Sequence, residues 1–179
     1  RDHFEDSAQA RQYFREALDL AVVLGDAHRQ GDLLNAMGIT DWKHRAFEQA
    51  LVHYEQALVQ YREAGDLSET ALMLNSLGVT LRSLRRYDEA LTRLQQAVHA
   101  AHQANHRLFL GYALAAIGDV YRDKGDYPEA RTHYQRSLAI RRDIGDRQGE
   151  GWMLHHLAMT ANSDGQIDQA REYVAQASQ

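Results

Sequence analysis

Four stretches at one fixed spacing constrain this chain more than any other feature. Gly38–Ala50 reads GITDWKHRAFEQA, Gly78–Ala90 GVTLRSLRRYDEA, Gly118–Ala130 GDVYRDKGDYPEA and Ala158–Ala170 AMTANSDGQIDQA, each 40 positions after the last. Such a period marks a stacked-repeat architecture, in which one small unit recurs and buries its apolar face against its neighbours. The third copy shows the unit best. A helix ends near Lys124, Gly125 turns the chain, Asp126 can cap, Pro128 suits a first helical turn, and a second helix follows.

The unit is thus a helix pair. The pattern predicts nine helices: Asp6–Leu24, Ala27–Trp42, Arg45–Ala64, Leu67–Leu84, Tyr87–Ala104, Arg107–Lys124, Tyr127–Ile144, Arg147–Ser163, and Ile167 to the end. Gly25-Asp26, Gly65-Asp66 and Gly145-Asp146 punctuate the repeats. Asn105-His106 replaces that signal once, Asn being the next residue able to turn left-handed. Arg85 stands where Gly125 and Gly165 stand in other repeats, at an expected cost of about 1–2 kcal/mol if it turns left-handed. Subtracting the period maps Ala50, Tyr54 and Ala57 onto Ala10, Phe14 and Ala17, which share a face with Leu18 and Ala21. Residues 1–26 are therefore expected to be the second half of a repeat lacking its first helix. Full pairs follow at 27–66, 67–106, 107–146 and 147–179.

The periodic positions have a packing logic. Leu34, Leu74, Leu114 and Leu154 form one column, and Met37, Leu77, Ile117 and Leu157 another on the same face. Gly38, Gly78, Gly118 and Ala158 are small enough for close approach, as are Ala50, Ala90, Ala130 and Ala170. Large residues should fill between them: Phe47, Tyr87, Tyr127 and Ile167, then Tyr54, Leu94, Tyr134 and Val174. The expected fold is an all-α solenoid of antiparallel helix pairs.

Those residues carry a resemblance. Repeat one, with Leu34, Met37, Gly38, Phe47, Ala50, Tyr54 and Ala57, resembles the tetratricopeptide repeat, and repeat three adds Tyr121. The period is longer than the common 34 residues. It is similar to that of spindle-orientation Leu-Gly-Asn repeat proteins and of sensor arrays in bacterial regulators. The resemblance implies a right-handed superhelix whose concave face is lined by the first helix of each pair. The groove residues it implies are Asp32, Asn35, Ile39 and Trp42; Leu72, Asn75, Val79 and Arg82; Tyr112, Ala115, Asp119 and Arg122; and Trp152, His155, Met159 and Asn162. Asn35 and Asn75 stand in register and could hold the backbone of an extended peptide, an amide being both donor and acceptor. Arg82 and Arg122 could pair with its carboxylates, or Arg82 with Asp119 or Glu89. Trp42, Tyr112 and Trp152 would serve as aromatic anchors.

Other chemistries find little support. The chain has 44% hydrophobic residues, which argues against disorder, and a net charge of −5, which argues against a general nucleic-acid binder. The basic run Arg82, Arg85, Arg86 and Arg93 lacks the aromatic interleaving of a single-strand binder. Without cysteine there is no disulfide or thiolate chemistry, and a cytoplasmic location is expected. No apolar run is long enough for a membrane helix. Gly145–Gly151, GDRQGEG, lacks the lysine and strand of a phosphate loop; Gly149 and Gly151 read as close-packing positions, with Gly31 and Gly111 matching Gly151 by period. His99, His102 and His106 are better read as a solvated helix end than as a metal site. His155 could make the groove sensitive to pH. No catalytic residue, cofactor or metal is expected. The expected role is a non-catalytic scaffold holding a protein or peptide partner, with self-association through the solenoid ends plausible. The alternative is a regulatory module of a larger ATPase or transcription regulator.

Overall fold

The computed structural model describes residues 2–177, and their side chains from Gln12 onward. Among these residues there are nine helices and no strand: α1 (Asp2–Val23), α2 (Ala27–Lys43), α3 (Phe47–Glu63), α4 (Leu67–Ser83), α5 (Tyr87–Gln103), α6 (Arg107–Asp123), α7 (Tyr127–Asp143), α8 (Arg147–Ser163) and α9 (Ile167–Ala177). They form a right-handed solenoid of antiparallel pairs. Each helix packs on the next in the chain, and α4 also touches α6. From α2 to α8 every helix has 17 residues and every connector has three, so the backbone repeats every 20 residues, half the sequence period.

One turn recurs at each connector. In the first pair, the Arg45 N–H donates to the Trp42 carbonyl and the Ala46 N–H to the Asp41 carbonyl. This is the Schellman arrangement, which satisfies carbonyls left open at a helix end and needs one left-handed residue. Gly25, Gly65, Gly125, Gly145 and Gly165 supply it, and so do Arg45 at φ 61°, Arg85 at φ 58° and Asn105 at φ 53°. The next residue then caps the following helix. Asp26, Asp66, Asp126 and Asp146 accept from the N–H of Arg29, Glu69, Glu129 and Gly149, and His106 accepts from Phe109. Ala46 and Arg86 hold the same place without a side-chain bond.

The two helices of a pair meet at a notch. A Cβ on Gly38 would lie 2.6 Å from the Tyr54 ring, and one on Gly118 2.7 Å from the Tyr134 ring; Gly78 abuts Leu94 as tightly. Tyr54, Leu94 and Tyr134 are buried there among Ala50, Ala90 and Ala130. The leucine columns are buried too, except that Met37 is only half-buried.

Several expectations need correction. Arg45 is not helical: it is the left-handed residue, and α3 starts at Phe47. Val174 does not fill the fourth notch. It is 58% exposed, and Ala158, where the other repeats have glycine, already carries a methyl. Ile167 is exposed as well. Tyr173 is buried instead, its hydroxyl accepting from Gln135 at 3.1 Å. A Cβ on Gly151 would meet nothing within 4 Å, so close packing does not explain this glycine. Gly149 does pack closely, against the Arg141 side chain, while Gly111 is in ordinary contact. The Ala10 side chain lies outside the described residues.

Two outcomes are expected in chemical or thermal denaturation. Arg85→Gly relieves left-handed strain of about 1–2 kcal/mol, less the greater unfolded-state freedom of glycine, and should stabilise by about 0.5–1 kcal/mol. A lower midpoint would contradict this. Gly118→Ala and Gly151→Ala should differ in sign. The first forces the buried Tyr134 ring to move and should destabilise by about 1–3 kcal/mol. The second meets open space and should stabilise by about 0.5–1 kcal/mol through helix propensity.

Candidate interaction surface

The leading helix of each pair, α2, α4, α6 or α8, buries one side and leaves another accessible. On α4 the buried side includes Leu74, Leu77, Gly78 and Leu81; the equivalent positions on α6 and α8 are buried as well, except that Tyr121 on α6 is half-buried. The row Asp32, Asn35, Ile39, Trp42 and its periodic equivalents lies off that side. None of its residues is buried. Those on α4 and α6 are half-buried, and those on α8 are exposed.

At the centre of the row the charged residues bind one another. Arg82 Nε donates to Asp123 at 2.7 Å, and its Nη1 to Asp119 at 3.1 Å. Arg122 Nη2 lies 3.2 Å from Asp119, and Nη1 donates to His156 Nδ1 at 2.8 Å. The buried Tyr134 hydroxyl donates to Asp119 at 2.7 Å. Burial, then the Asp119 charge, pushes the Tyr134 phenol far above its usual range. Asp119 is thus the hub of a network joining α4, α6, α7 and α8. Of the two expected partners for Arg82, Asp119 is the one found, while Glu89 pairs with Arg86. Burial is the main cause that lowers the His156 pKa, with Arg122, His155 and Arg82 adding to it and Asp119 opposing.

The remaining residues divide into two kinds. Asn35 makes no side-chain hydrogen bond among the described residues, and the Asn75 Oδ1 is buried without a partner. Ile39 and Trp42 are exposed, the Trp42 ring edge-on to Phe47 at 6.2 Å. Trp152 is 57% exposed and Met159 is also open. Asn162 and His155 are exposed, His155 lying edge-on to His156 at 6.0 Å. By contrast, Leu72 and Val79 pack partly on the core. Asp32 accepts from the Tyr61 hydroxyl at 2.7 Å. Tyr112 is stacked near Phe109 and carries the Arg141 guanidinium over its ring at 4.8 Å, so one face of this expected anchor is already occupied.

Some of these groups escaped the sequence reading. Asp123 and His156 complete the central network from positions outside the row. Arg141 is 3% exposed, bonds Asp146, and occupies the space that a side chain on Gly149 would fill. Asp41 is buried, bonded to His53 at 2.7 Å. Its column otherwise reads Leu81, Tyr121 and Ala161, and that departure was the available signal. The basic run is largely neutralised: Arg82 as described, Arg86 by Glu89, and Arg93 by Glu55 at 2.5 Å. Among the described residues, no group of three or more His, Asp or Glu could hold a metal ion, and no helix is long and apolar enough to cross a membrane.

Solved structures with this architecture include BtubC from P. vanneervenii, at 21% identity and a TM-score of 0.87 over 99% of this chain and 74% of that one. Aspartyl phosphate phosphatase F from Bacillus subtilis matches at 17% identity and 0.85, over 93% of this chain and 44% of that one. A Rap protein complexed with competence and sporulation factor matches at 18% and 0.81, over 93% and 46%. The chain therefore spans less than half of the last two. At these identities the likeness shows the fold. No curated protein matches the chain. The tetratricopeptide-repeat family model matches residues 46–103 and 109–179, most of the chain. The chain belongs to the tetratricopeptide-repeat family.

Proposed function

We propose that this chain is a non-catalytic protein-interaction module that holds a segment of a partner protein along the row of leading helices. One observation carries the reading: four positions per repeat on α2, α4, α6 and α8 stay accessible while adjacent positions are buried. Exposed apolar groups stand at both ends of the row, Ile39 and Trp42 on α2, Trp152 and Met159 on α8. The Asn35 amide lies along it and can match a peptide backbone, and Asn75 stands in register with it, its Oδ1 turned inward and buried. Arg82 and Arg122 hold the frame through Asp119 and are not the first groups to meet a ligand carboxylate. A Rap protein of this fold is known in complex with competence and sporulation factor, which fits this reading.

A second reading makes the chain the sensing module of a longer regulator. It is favoured by the matches to under half the length of two larger proteins.

The reading is tested by selecting binders from a displayed peptide library and mapping the protected amides by hydrogen exchange. Protection is expected on α2, α4, α6 and α8. Asn35→Ala with Asn75→Ala should weaken the selected peptides about tenfold without loss of helicity, by about 0.5–1.5 kcal/mol per lost bond. Unchanged affinity would remove the Asn pair from the role. The central network also implies a pH dependence. The His156 pKa is lowered on folding, so the neutral form is favoured in the folded state. Its stabilisation is full above the unfolded value of about 6.5 and declines as pH falls below that towards the folded value. His133, lowered chiefly by burial, acts in the same direction. The melting midpoint should therefore fall between about pH 7 and pH 5, and less steeply in His156→Gln. A midpoint rising over that range would contradict the assignment.

A further inference from the structure

A cleft of about 410 Å³ lies between α5, α6 and α7, away from the leading-helix row. At about 100° per residue, its α6 residues Arg107, Leu110 and Leu114 sit roughly 120° around the helix from Tyr112, Asp119 and Arg122. The floor is apolar, with Leu110, Leu114 and Ile140, and the rim carries Arg136, His102 and His106; no carboxylate lines it. Arg136 and His102 are exposed and form no hydrogen bond or ion pair among the described residues. His106 Nδ1 accepts from the Phe109 N–H at 3.3 Å, which leaves the neutral ring's proton on Nε2 as a free donor. Arg107 is already paired, with Asp143 at 2.7 Å.

The same cleft recurs one repeat away on each side, which shows what is special here. Forty residues earlier Gln96 replaces Arg136 and Arg62 replaces His102, beside His99 and above an equivalent floor of Leu74 and Ala100. Forty residues later Gln176 replaces it, and Arg142, in the place of His102, is bonded to Glu150 at 2.7 Å and to Gln176 at 3.2 Å. Of the three, the central cleft alone sets two imidazoles, His102 and His106, beside an unpaired guanidinium; where His106 stands, the flanking repeats carry Asp66 and Asp146.

We propose that this cleft is a second docking site, which takes an acidic side chain of a partner protein together with a neighbouring apolar residue. One guanidinium and neutral imidazole donors suit a single carboxylate charge, and the floor suits an aliphatic group. The rim is exposed, so a small free acid would keep most of its surface in water, whereas a side chain carried on a protein brings further contact area. This site is independent of the leading-helix reading and can fail without it.

The test is an NMR titration of the intact chain with acetyl-Glu-Leu-amide, acetyl-Gln-Leu-amide and sodium acetate. The Glu peptide should shift the amides of Arg136, Leu110 and Ile140, and added salt should weaken it. Arg136→Gln restores the residue found in the flanking repeats, keeps the fold, and should weaken the peptide about two- to fivefold. Equal shifts from the Gln peptide, no shifts, or an unaffected Arg136→Gln variant would overturn the proposal. So would shifts confined to the leading-helix row, an equal response to acetate alone, or shifts that depend on protein concentration without peptide, which would make a second copy the occupant.

Discussion

Everything in this structure is phased by a single left-handed residue placed every 20 positions. Each helix from α1 to α8 ends on it, and the two carbonyls it helps to satisfy fix the direction of the next helix. Since the helices between turns have constant length, the same side of each meets its neighbour at every step. The glycine notches then work only because that phase holds. Gly118 faces the Tyr134 ring because the turn at Gly125 returns the chain at one particular angle.

Much of this was legible in the sequence. The turns announce themselves as Gly-Asp, and the notch as a glycine followed sixteen residues on by Tyr or Leu. Where legibility fails, the reasons are physical. Arg45 offers no turn signal, because an arginine forced left-handed by its surroundings looks like any helix-forming arginine. Val174 holds a core position by period, but the glycine that opens the notch elsewhere is Ala158 here. Gly151 matches its period but has no large side chain opposite, since packing depends on both partners and a column shows one. The leading-helix residues could be enumerated, and Asp119 was one of two partners open to Arg82, but the choice between them was not legible. The contact made joins residues 37 apart whose pairing depends on how tightly α4 and α6 approach.

The repeats are therefore alike in backbone and unlike in chemistry. One contact has Tyr61 bonding Asp32 in the first repeat and Arg141 stacking on Tyr112 in the third. The notch holds an apolar Leu94 in the second repeat and in the third a tyrosine that reaches the charge network. Period-based reasoning describes the frame well. It describes individual side-chain partners poorly, because each such partner is set by two residues that vary independently between repeats.

The three-residue connectors have a consequence for how the molecule opens. With almost every contact made to the adjacent helix, the entropy of closing each interface is small and formation is local, as expected of fast-folding topologies. Such a chain need not open all at once. It can open helix by helix, so α4 and α6, clasped through Asp119, should be the last to exchange their amide protons.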